Sequence, residues 1–367
     1  MKIICDRTLL TDAISNASRA VSPKSAMPIL EGVLLEASND TLKITGYDLE
    51  MGISTIINCN VEVDGEIILS AKLFFDMIRK MPGNTVSIDC NEKLLCTIKS
   101  GVTEYTIIGL STEEYPELPK IKENEFINIP KQMLKSMISQ TLFAIANTDS
   151  KPVHTGSMFD MSDGNLDIVS VDGFRLALRS EKIQNTDSYN FIVPGKTLSE
   201  VQKMIGDEEE DVAIQISRKH IIFNVNDCKI VSRLLEGDFL DYKAAIPTTS
   251  ITTVKIPTRK FIDAIERTSL LISDKVKSPL KIKFADNMIK ISCSTAIGKA
   301  YDEIQCDIIG EDVEMGFNSR FLLDALRASE TDEIKLEING ALSPMRIVST
   351  KGNSFLFLVL PVRLKSE

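Results

Sequence analysis

Three basic side chains recur along this chain at one interval, each followed four residues later by an acid. Lys72 leads to Asp76, Lys196 to Glu200 and Arg320 to Asp324, within SAKLFFDMI (70–78), PGKTLSEVQ (194–202) and NSRFLLDAL (318–326). The spacing is 124 residues both times (196 − 72 and 320 − 196). On one amphipathic helix such residues simply solvate the outer face. Three copies at a fixed interval point instead to a shared basic surface, suited to holding a polyanion by charge.

Bond-breaking chemistry has poorer material. The best acids are Asp48 and Asp172, the second with Arg175 close by, but they too are 124 residues apart (172 − 48) and so occupy the same turn in two copies of a unit. The chain has no G-x-S-x-G elbow and no G-x-x-x-x-G-K-[ST] loop. His154 and His220 are its two histidines, and seven cysteines (Cys5, Cys59, Cys90, Cys96, Cys228, Cys293, Cys306) form no C-x-x-C pair. We expect a non-catalytic protein with no cofactor and no metal. The odd cysteine count argues against a closed disulfide framework, leaving most thiols as small core residues on strands.

The elements that place these residues keep the same beat. The helical pattern Leu9-Leu10-x-x-Ala13-Ile14 returns as Met133-Leu134-x-x-Met137-Ile138 and as Lys260-Phe261-x-x-Ala264-Ile265. Asn39-Asp40, Asp163-Gly164-Asn165 and Asp286-Asn287 each separate two runs rich in β-branched residues, as hairpin turns do. The expected fold is α+β: three repeated domains, 1–122, 123–248 and 249–367, each with two helices and antiparallel sheets. One helix should start near Ala71, capped by Ser70, and bury Leu73, Phe74, Met77, Ile78 and Met81; Asn318 should cap its third-domain counterpart. Units packed edge to edge in the same way curve, and head-to-tail contact closes into a ring or runs on as a filament.

A net charge of −10 would ordinarily count against nucleic acid as a partner. What a polyanion senses is local potential, and acidic blocks such as Asp207–Asp211 and Glu113-Glu114 fall in expected loops, where solvated charge is the plain reading. No apolar run reaches about 18 residues, so no membrane span is expected. MKIICDRTLL, broken by Asp6 and Arg7, does not read as a secretory signal, which points to a cytoplasmic protein.

Over its whole length the chain resembles the bacterial DNA polymerase III beta subunit family. The likeness rests on MPIL (27–30), ITGYDLEM (44–51), VDGFRLA (171–177), LLEGDFLDY (234–242), MGFNSRFLLDAL (315–326) and LPVRL (360–364), in order. It implies a homodimeric ring around double-stranded DNA, helices facing the hole, that slides without reading sequence and makes the polymerase processive. Lys24, Lys72, Lys151, Lys196 and Arg320 are the implied DNA contacts. The resemblance also implies a cleft where polymerase, clamp loader and repair proteins dock short linear motifs. Its residues would be Ser170, Gly173, Phe174, Arg175, Leu176 and Leu240 on one side, Asn318, Phe321, Leu342 and Pro344 on the other, and Leu358, Leu360, Pro361, Val362 and Arg363 along the floor. Ring closure would set Tyr105 and Ile107 against Leu271 and Ile272 of a second copy. This chain departs from relatives at Leu240, Ala244, Ala245, His154 and the final Lys365-Ser366-Glu367, which bears on peptide preference. A protein-binding repeat scaffold that never encircles DNA is the alternative.

Overall fold

The computed structural model describes residues 1–121, 126–147, 151–273, 278–352 and 354–364. Lys365-Ser366-Glu367 and the expected boundary between residues 122 and 123 lie outside them. The helices are α1 (Arg7–Ser18), α2 (Ala71–Arg79), α3 (Lys131–Leu142), α4 (Gly195–Met204), α5 (Tyr242–Ala245), α6 (Thr258–Thr268) and α7 (Ser319–Ala328). Each repeat thus has its two helices, and α5 is a single added turn.

The chain gathers into two compact units, one of Met1–Leu134 with Glu200–Leu234, the other of Lys135–Ser199 with Leu235–Glu367. The division cuts the second repeat because its two halves join different sheets. In the first unit, strand Cys228–Arg233 pairs antiparallel with Met51–Asn58, so second-repeat strands extend a first-repeat sheet to eight strands. In the second, Phe355–Val359 pairs antiparallel with Arg175–Lys182 in a sheet of nine. The first unit also holds a five-stranded sheet with Thr103–Ile108 at its edge, and the second a four-stranded sheet with Gly298–Gln305 at its edge.

Local chemistry explains the turns. Asn39 and Asp40 (φ 51° and 55°), Asp163 and Gly164 (49° and 74°), and Asp286 and Asn287 (56° and 57°) adopt the left-handed pairs that two-residue hairpins require. Asx side chains and glycine reach that region most cheaply, so the turn pattern was readable from composition.

Other expectations need correcting. Phe74 and Ile78 on α2 and Met81 just beyond it are buried, but Met77 is half-buried and Leu73 is 46% exposed, because both stand toward one border of the apolar stripe. Ser70 precedes α2 without accepting a capping hydrogen bond, whereas Asn318 accepts one from the Arg320 N–H. The acidic block is not merely solvated. Lys131, at the start of α3, is buried and pairs through Nζ with Glu210 and Asn226, with Glu208 at 3.9 Å. A buried ammonium without such partners would be strongly destabilising, so the block has a folding role. Cys90 and Cys96 face each other across one hairpin and form a disulfide, while Cys5, Cys228, Cys293 and Cys306 are buried thiols and Cys59 is half-buried.

Candidate functional site

In the second unit a turn between two strands, Asn165–Val171 and Arg175–Lys182, organises the site. Asp172 Oδ1 accepts from the Phe174 and Arg175 backbone N–H groups (2.9 and 3.0 Å), and Gly173 takes φ +86°. That conformation puts Phe174 outward, 61% exposed, and turns Arg175 inward. Arg175 Nε bonds Asp172 Oδ2 (2.9 Å) and its Nη1 bonds Asp324 Oδ2 (2.6 Å). Its guanidinium lies over Phe143 and Phe321, 5.4 and 4.6 Å from the ring centroids, and Phe174 stacks on Phe321 at 5.9 Å. A charged fork fixed by two carboxylates thus holds an aromatic wall in place.

Beside it is an open cavity of about 890 Å³, lined by Phe174, Arg175, Asn318, Phe321 and Val362 among others. The Leu360 N–H donates to the Phe174 carbonyl (2.9 Å) and the Val362 N–H to the Gly316 carbonyl (2.8 Å), which brings the segment after strand Phe355–Val359 to this wall. Leu360, Val362, Leu342 and Leu240 are 38, 44, 75 and 42% exposed; of these Val362 lines the cavity with Phe174 and Phe321, giving it apolar surface that suits an apolar ligand.

The cleft residues divide. Phe174, Arg175, Asn318, Phe321 and Val362 meet at the cavity, while Leu342 and Pro344 stand on the turn before strand Met345–Ser349, and Pro361 and Arg363 flank Val362. Ser170, Leu176 and Leu358 are buried: Ser170 Oγ is 2.7 Å from Ser157 Oγ, and the two leucines pack with Val153, Met158 and Tyr242. Leu240 does not line the cavity. Sequence reasoning missed Phe143 and the role of Asp324. The signal for Asp324 was present, since it is the third copy of the repeated acid.

The other two copies are also paired. Asp76 lies near Lys72 and Arg79 (3.9 and 3.6 Å), and Glu200 near Arg19 and Lys203 (3.0 and 2.7 Å). Burial alone would raise the Glu200 carboxyl, but hydrogen bonds and charge from Lys203 and Arg19 outweigh it and hold it below the usual carboxylate range. Of the basic candidates, Lys24, Lys72, Lys151, Lys196 and Arg320 are all exposed, and Arg320 also borders the cavity. Tyr105 and Ile107 sit half-buried on the edge strand of the first unit, and Leu271 and Ile272 half-buried just after α6 in the second.

Comparison with known proteins matches this architecture from end to end. Family models of the DNA polymerase III beta subunit match residues 1–119 (N-terminal domain), 128–241 (central domain) and 243–363 (C-terminal domain). The chain is 34% identical to the Beta sliding clamp of Bacillus subtilis over 376 aligned residues, covering 99% of this chain and all of that one. The crystal structure of the DNA polymerase sliding clamp from Bacillus subtilis superposes with a TM-score of 0.97 at 34% identity, over 100% of both chains. A crystal structure of a DNA polymerase III beta subunit from Eubacterium rectale gives 0.95 at 34% identity, over 99% of both. The chain belongs to the DNA polymerase III beta subunit family, the DNA sliding clamps.

Proposed function

We propose that two copies of this chain close head to tail into a ring around duplex DNA and tether the replicative polymerase to it without catalysing a reaction. The observation that carries the reading is the full-length likeness to a DNA polymerase sliding clamp. The proposed domains are 1–122, 123–248 and 249–367, and the ring is cytoplasmic; no helix among the described residues is long and apolar enough to cross a membrane. Topological linkage supplies persistence, and loose cation–phosphate contacts permit sliding, because backbone contacts position a protein without reading sequence.

Lys24, Lys72, Lys151, Lys196 and Arg320 supply those contacts. The wall of Phe174, Phe321, Leu342, Leu360 and Val362 accepts a short motif with Leu and Phe anchors, as presented by polymerase, clamp loader and repair proteins. Burying each such anchor contributes about 1.5–3 kcal/mol before ordering costs. Ring closure sets Tyr105 and Ile107 against Leu271 and Ile272 of the second copy. Changing the five cations together to Glu is expected to shorten retention on nicked circular DNA while sedimentation still shows dimer; undiminished retention would remove this DNA-contact set. Replacing Leu271 with Ala and Ile272 with Asp is expected to give monomers by ultracentrifugation, and persistent dimer would remove that interface.

A further inference from the structure

The frame of the apolar cleft is present a second time, in the first unit. There the turn Asp48–Met51 repeats the Asp172 geometry: Asp48 Oδ1 accepts from the Glu50 and Met51 N–H groups (3.0 and 2.7 Å), and Leu49 takes φ +75° where Gly173 takes +86°. The Arg233 N–H donates to the Glu50 carbonyl (2.8 Å), as the Leu360 N–H donates to Phe174. Arg233 is paired across the ladder with His220, and one step beyond the Met345–Val359 pair the corresponding positions are Pro344 and Leu360. The tight turn Ser217–His220, closed by the Ser217 N–H to the His220 carbonyl (2.8 Å), presents Arg218 and Lys219 where the second unit presents Leu342.

Side chains at these matched places differ in kind. Apolar Leu342, Pro344 and Leu360 become Arg218 and Lys219, His220, and Arg233; the two arginines and the lysine are exposed. Burial, then the positive charges of Arg233 and Lys219, hold His220 below its ordinary range; against the three cations the same frame carries two acids, Glu50 and Asp48, the latter with Oδ1 taken up by two backbone N–H groups.

We propose that this second frame is a docking site for an acidic extended peptide segment of a partner protein. It rests on the reading of the apolar cleft as a peptide site, since the two share a backbone frame. A peptide is favoured over duplex DNA because the cations stand on the Ser217–His220 turn and at the end of strand Cys228–Arg233, on the same backbone frame that carries the apolar peptide site. The chain's own acidic block does not serve as occupant, since Glu208 and Glu210 are engaged by Lys131.

The test uses three fluorescent probes on the full-length protein: a ten-residue Asp/Glu peptide, a Leu/Phe-anchored peptide and a duplex of about 30 base pairs. The charge reversal R218E/K219E/R233E is expected to weaken the acidic probe at least tenfold and leave the Leu/Phe probe within twofold; L360D is expected to do the opposite. R218Q/K219Q changes only exposed side chains and is expected to weaken the acidic probe in the same direction should the reversal impair folding. An acidic probe that fails to bind the wild type, or binds all variants alike, overturns the proposal. Loss of duplex binding with the acidic probe unaffected also overturns it and makes the patch a DNA contact. Failure of the Leu/Phe probe on the wild type overturns the cleft reading instead.

Discussion

Two turns of this molecule, Asp48–Met51 and Asp172–Arg175, have the same backbone hydrogen bonds and opposite surroundings. The second supports a wall of Phe174, Leu360 and Phe321, the first a cluster of Arg233, His220, Arg218 and Lys219. The repeat copies the frame, and chemistry is decided by what stands on it. At the inward position the difference is larger still: Met51 is an ordinary buried apolar residue, whereas Arg175 is held by two carboxylates and two rings.

The largest way to break the comparison is at that inward position. Arg175→Ala strands Asp172 and Asp324 without their cation and is expected to lower stability by about 3–5 kcal/mol in equilibrium denaturation, with loss of Leu/Phe peptide binding. A change under about 1 kcal/mol would show that the fork is not what holds the wall. Next, Leu360→Asp should weaken a Leu/Phe-anchored peptide about 10- to 100-fold, the equivalent of losing one buried anchor contact, while Arg233→Asp leaves it unchanged in anisotropy titrations. Equal effects would mean that the two frames are not chemically distinct.

A smaller effect concerns the repeated acid. Glu200 is held below the usual carboxylate range in the folded chain, so its pairing contributes stability above the unfolded value and loses it as pH falls through the lower folded value. Glu200→Gln should therefore be less stable than wild type at pH 7 by about 1 kcal/mol, discounted for partial exposure, with the gap closing as pH falls through the lowered carboxyl range. A gap independent of pH would contradict the charge pairing. Smallest of all, Leu49→Gly is expected to stabilise by up to about 1 kcal/mol by relieving a left-handed leucine, and Gly173→Ala to destabilise by about the same amount. No heavy atom lies within 4 Å of a Cβ at Gly173, so its penalty would come from the backbone alone.

Period and turn chemistry were legible in the sequence because both depend on local residue types. Asn39-Asp40 and Asp286-Asn287 announce left-handed hairpin turns by composition, and the 124-residue beat announces three copies. Strand pairing across repeat boundaries was not legible: nothing in Cys228–Arg233 says that its neighbour is Met51–Asn58. The candidate site was visible as a set of positions through the family resemblance, but the division between surface and core was not. Leu176 and Leu360 are the same residue type, one buried under α5's Tyr242 cluster and one on the rim. Lys131 shows the same limit, since a buried lysine and its loop acids are brought together by tertiary structure alone.

The most direct measurement is retention of labelled protein loaded on circular DNA, followed before and after a single cut that linearises the circle. The account predicts stable retention on the circle and rapid loss from the free ends after the cut, with loss prevented when both ends are blocked. Retention that is indifferent to linearisation would contradict encirclement and leave a protein that binds the side of DNA.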